Sequence, residues 1–142
     1  MGTSTWSGPI KAGTVREGAG ANTGTAVLVQ TGTVSREASD LVNDLTITLP
    51  ANAQILDIYA DPTVLYDSAT SATLSVGYTS GGTEYAGSID VKTGGRKRMT
   101  LTVAEALAMK SIGSNTSVVF TVTSVGQPTV GSLACVVIYK QN

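Results

Sequence analysis

The stretch Ala72-Thr-Leu-Ser-Val-Gly-Tyr-Thr-Ser-Gly-Gly-Thr-Glu-Tyr-Ala-Gly-Ser-Ile-Asp-Val91 alternates on both sides of a glycine pair. Ala72, Leu74, Val76 and Tyr78 share one face, and Thr73 and Ser75 the other. That period of two is the signature of a half-buried strand. Tyr85, Gly87, Ile89 and Val91 alternate in the same way with Glu84, Ala86, Ser88 and Asp90, and Ser80-Gly81-Gly82 supplies the turn. Together they read as a β-hairpin with a short glycine loop. Tyr78 and Tyr85 flank that loop and are placed to pack across the strand pair.

The same pattern extends outward. Ala26, Leu28 and Gln30 alternate with Val27, Val29 and Thr31, and Leu45, Ile47 and Leu49 with Thr46 and Thr48 until Pro50 stops the run. Ile55–Ala60 reads as a strand broken by Asp61-Pro62. Val118, Phe120 and Val122 alternate with Val119, Thr121 and Thr123, and the turn Gly126–Gly131 leads into Leu133–Tyr139. That final run is apolar on both faces, so it belongs in the middle of a sheet or against a partner. One helix is predicted. Thr102-Val-Ala-Glu105 matches a capping box, Val103, Ala104, Leu107 and Ala108 fall on one face, and Gly113 stands where a C-terminal cap belongs. The fold class is therefore all-β: a β-sandwich or jelly roll in one domain, residues 25–142, with one short helix. Residues 1–24 read as an extended N-terminal arm. Glycine is frequent there and alternation poor, yet Trp6, Pro9, Ile10 and Val15 are apolar anchors with no local core to enter. They are the candidate interface residues.

Composition narrows the function. Of 142 residues only 13% are charged and the net charge is −1. Thr and Ser make up roughly a quarter of the chain, which suits pleated faces. A non-specific nucleic-acid binder carries a basic excess. Here the basic cluster is Arg96-Lys97-Arg98 with Lys92 nearby, which reads as a solvated loop tip. The N-terminus has no signal-peptide pattern, and no apolar run approaches the ~20 residues that span a bilayer. Neither a nucleic-acid nor a membrane partner is expected.

Chemistry is hard to assemble from these residues. There is no histidine, which removes Ser-His-Asp and Cys-His constellations and histidine metal sites. The single cysteine, Cys135, sits inside the apolar final run and reads as core. The glycine pairs at 81–82 and 94–95 open no helix, so they are not phosphate cradles. Asp57, Asp61 and Asp67 lie close in sequence, and Asp90 is placed to approach them; paired carboxylates serve glycoside hydrolysis and clustered ones Ca²⁺. Their spacing is irregular and fits turn starts better. No catalytic, cofactor or metal residues are assigned.

Three runs carry a resemblance: Trp6-Ser-Gly-Pro-Ile-Lys-Ala-Gly-Thr-Val-Arg-Glu-Gly18, Leu49-Pro-Ala-Asn-Ala-Gln-Ile-Leu-Asp-Ile58 and Tyr66-Asp-Ser-Ala-Thr-Ser-Ala-Thr-Leu-Ser-Val-Gly77. They resemble small head proteins encoded near the capsid gene in tailed bacteriophages. The resemblance implies a decoration, or cement, protein: a β-rich subunit added to the outside of an assembled capsid, often as a trimer. It implies the major capsid protein and further copies of the chain as partners, assembly in the host bacterial cytoplasm, and no cofactor or catalysis. The alternatives are a β-sandwich receptor- or glycan-binding module of a virion and a structural subunit of another assembly such as a tail tube.

Overall fold

The computed structural model describes residues 26–37 and 40–141. Eight strands and one helix follow in order: β1 Val27–Ser35, β2 Val42–Thr48, β3 Gln54–Val64, β4 Ser71–Gly77, β5 Ala86–Asp90, β6 Lys97–Arg98, α1 Val103–Lys110, β7 Ser117–Val125 and β8 Ser132–Lys140. They form two four-stranded sheets, β1-β8-β3-β6 and β2-β7-β4-β5, and every pairing within them is antiparallel. First strand pairs with last, second with seventh, third with sixth and fourth with fifth. A long antiparallel ribbon folded over on itself gives this nesting, and it is the jelly roll.

The alternation read from the sequence is what closes the sandwich. Leu133, Cys135, Val137 and Tyr139 of β8 point inward, as do Val118, Phe120 and Val122 of β7 and Leu74 and Val76 of β4. They meet Ile55, Ile58 and Ala60 of β3 in one continuous core. The final strand is central, between β1 and β3, as its two apolar faces require. Among the described residues no helix is long and apolar enough to cross a membrane.

Three local expectations are corrected. Asp61-Pro62 does not end the third strand; β3 runs on to Val64 with register shifts at Ile55/Asp57 and Pro62/Val64. Proline is tolerated there because β6 reaches only Tyr59 and Ala60, so at Pro62 the strand is paired on the β8 side alone. The helix has its capping box: Thr102 N–H donates to Glu105 Oε2 at 2.6 Å, and Glu105 N–H to Thr102 Oγ1 at 3.3 Å. It does not bury the face the periodicity predicts. Met109 enters the core, and Ile112 N–H donates to Ala53 O just beyond the helix. These anchors turn Val103 and Leu107 outward, because Leu107 and Met109 lie on opposite sides of a helix with 3.6 residues per turn. The helix ends at Ser111, and Gly113, at φ 61°, belongs to the turn after it.

The β4–β5 hairpin is present, but its glycine loop folds back onto the sheet. A Cβ on Gly77 would lie 2.7 Å from the Cα of Gly82, so both backbones need the bare glycine. Gly81 N–H donates to Thr121 Oγ1 at 2.9 Å, and that hydroxyl donates to Asp44 Oδ1 at 2.6 Å. A fully buried threonine thus ties the loop to β7 and β2.

Candidate interaction surface

The outer face of the β1-β8-β3-β6 sheet follows from register. Val29 stands opposite Ile138 and Ile138 opposite Asp57; Thr31 stands opposite Val136 and Val136 opposite Tyr59; Thr33 stands opposite Ala134 and Ala134 opposite Asp61. The β1 side is apolar and open. Val27 and Val29 are each 57% exposed, and Leu56, at the β3 bulge on the far side of β8, is exposed as well. All nine residues of β1 are uncharged, and β1 lies at the sheet's edge. An edge of this kind is a template for association unless something covers it.

The β3–β6 side is a charge ladder. Asp57, Tyr59 and Asp61 alternate along β3, and Arg98 pairs with Tyr59 in the register. Arg96 donates to both oxygens of Asp61, Nε to Oδ1 and Nη2 to Oδ2, each at 2.8 Å. Arg98 Nη1 donates to Asp57 Oδ2 at 2.5 Å. Both guanidinium groups also approach the Tyr59 ring, Arg96 at 4.2 Å and Arg98 at 5.6 Å from its centroid. The hydrogen bond from Arg96 holds the Asp61 carboxyl below its ordinary range. Lys97 and Arg98 therefore form a short edge strand that Arg96 precedes; the two arginines are paired with carboxylates, while Lys97 Nζ donates to Thr93 Oγ1 and Gly94 O.

The carboxylates do not converge. Asp57 and Asp61 are held by arginines, and Asp67 accepts from Thr129 N–H, Thr129 Oγ1 and Val130 N–H. Those three bonds pull its carboxyl down to about 2. Asp90 accepts from Thr93 Oγ1 and Lys92 N–H, which lower it too. Among the described residues no group of three or more Cys, Asp or Glu side chains is arranged to hold a metal ion. Cys135 is fully buried, and burial pushes its thiol up to about 12. Tyr85 is core and Tyr78 exposed.

A second apolar patch lies on the helix. Val103 is 79% exposed and Leu107 65%, with Leu101 exposed nearby. The expected interface residues Trp6, Pro9, Ile10 and Val15 lie outside the described residues. The helix patch and the Tyr59 ladder escaped the sequence reading. The first depends on which helix face the core takes, the second on a pairing across 35 to 41 residues.

No family model and no curated protein matches the chain. Among solved structures it resembles a chain of the cyanophage Pam1 capsid asymmetric unit, at 22% identity and a TM-score of 0.61 over 91% of this chain and 95% of that one. It also resembles a chain of the capsid of Ralstonia phage GP4, at 21% identity and a TM-score of 0.54 over 93% and 92%. Over nearly its whole length, the chain shares its jelly-roll fold with chains of two phage capsids.

Proposed function

We propose that this protein is a non-catalytic structural subunit of a tailed-phage virion, a decoration protein that adds to the outer surface of the head and stabilises it. The observation that carries this is the whole-length likeness to chains of two phage capsids. Coverage is nearly complete on both sides, so those chains are close to this one in length. Fold alone does not set function, and the jelly roll serves lectins as well as capsids. The surface supports the structural role: open apolar residues on β1 and α1, and carboxylates held singly by hydrogen bonds.

In this proposal the chain works as a closed homo-oligomer, a trimer, on the major capsid protein lattice. Residues 1–24 cross to a neighbouring subunit. A subunit that binds only the assembled lattice stabilises it by mass action, and repetition over many sites makes weak contacts sufficient. With a net charge of −1, attachment depends little on salt. Without histidine it varies little between pH 5 and 8.

The experiment compares DNA release on heating from heads with and without the protein, at low and high salt. A higher release temperature in its presence is expected. Equal temperatures overturn the stabilising role, and binding to a glycan array without binding to heads favours the receptor module instead.

A further inference from the structure

At the end of the sandwich where β1 begins, the two sheets part. Leu28, Gln30 and Tyr139 on one sheet and Thr48 and Leu49 at the end of β2 line an open groove of about 400 Å³, which Gln141 also lines. An apolar cavity of only about 150 Å³ is enough to bind benzene. The walls are largely apolar, and Leu28 stays half-buried although it packs on the core. One polar atom there is unmet: Gln141 Oε1 is shielded from water and has no hydrogen-bond partner. A buried acceptor left unpaired is costly.

An apolar groove with one unmet acceptor suits an aromatic side chain carrying a single N–H donor. Indole is that group: its Nε1 donates and never accepts, and a buried tryptophan normally finds such a partner. The chain has one tryptophan, Trp6, with Pro9 and Ile10 close behind it. Twenty residues separate Trp6 from Val27, a reach of roughly 70 Å when extended. That reach is long enough to bring Trp6 to the groove of a second copy.

Building on the intersubunit arm proposed above, we propose that Trp6 of one copy seats in the groove between β1 and β2 of a second copy. Its ring packs on Leu28, Leu49 and Tyr139, and its Nε1–H donates to Gln141 Oε1 after a small turn of the soft terminal amide torsion. Passed head to tail around a rotation axis, the contact closes a ring. An anchor of this kind is a typical interface hot spot.

Cysteine pairing tests it, because Cys135 is buried and does not compete. Full-length chains carrying Ser7→Cys alone and Thr48→Cys alone are mixed and oxidised, in solution and on heads. A disulfide between the two different chains is expected, and Trp6→Ala in the first chain should reduce its yield at least tenfold. In the Ser7→Cys/Thr48→Cys double variant, a disulfide confined to single chains overturns the exchange between copies. Emission from Trp6, the sole tryptophan, should be blue-shifted in the assembled protein and move red on dilution; solvent-like emission in the assembly overturns the seat. Normal head binding with no disulfide in any format overturns the groove and leaves the decoration role standing. A disulfide between chains that do not bind heads supports the groove and removes the decoration role.

Discussion

Gly131 lies directly under the ring of Tyr66: a Cβ at position 131 would stand 2.5 Å from Cδ1 and 2.6 Å from Cε1. The glycine precedes β8 and the tyrosine follows β3, so this contact sets how closely the β7–β8 and β3–β4 connections pack. Tyr66 is 1% exposed, and its hydroxyl has no hydrogen-bond partner. Burial pushes that hydroxyl up to about 12. Gly131→Ala should therefore destabilise the fold by about 1–3 kcal/mol through overpacking, read as a lower urea midpoint. Tyr66→Phe keeps the ring and removes the unpaired hydroxyl, so its midpoint should rise. A fall in the Phe variant would show that the hydroxyl bonds a water molecule.

Asp67 makes stability depend on acid. Its three bonds from Thr129 and Val130 favour the charged form, so the folded value of about 2 lies below the ordinary 3.8. A carboxylate depressed in the folded state contributes its stability above the unfolded value and loses it as pH falls through the folded one. Asp67→Asn should be less stable than the parent at neutral pH, with the difference shrinking between 3.8 and about 2. Denaturation of both proteins across that range checks this, and a constant difference contradicts it.

Cys135 should be inert in the folded protein. Its thiol is buried on β8, and burial pushes it up from the ordinary 9.0 to about 12, so almost no thiolate forms at pH 8. A thiol-specific chromogenic reagent should label one group per chain in denaturant and essentially none without it. Rapid labelling of the native chain would show that β8 opens locally.

The arginine ladder should restrain the 92–98 segment more than it stabilises the fold. Exposed ion pairs contribute little to global stability, yet Arg96 and Arg98 are the visible ties of this edge to Asp61 and Asp57. The double variant Asp57→Asn/Asp61→Asn should keep its urea midpoint while trypsin cleaves after Lys92, Lys97 or Arg98 severalfold faster. An unchanged cleavage rate would mean that the backbone pairing of β6 with β3 is sufficient.

Sequence alone determined the fold class and most strands of this protein. Period-two alternation at Leu74/Val76, Leu45/Ile47 and Val118/Phe120 is a local consequence of the pleat, and it is visible without knowing any neighbour. The central place of β8 was legible too, since Ala134, Val136 and Ile138 are apolar on the face opposite Leu133, Cys135 and Val137. The capping box at Thr102 and Glu105 is likewise local chemistry. Tertiary structure alone decided the nesting of strands into a jelly roll, because pairing β1 with β8 joins residues about a hundred positions apart, as in Val27 with Lys140 and Ser35 with Ser132. It decided that β3 passes through Pro62, because the missing donor matters only where a second neighbour needs it. It decided which helix face is exposed, because packing, not periodicity, puts Met109 in the core and leaves Val103 outside. It also decided that Arg96 and Arg98 are neutralised on Tyr59, Asp57 and Asp61, since charge pairing depends on distance in space and sequence spacing carries no record of it.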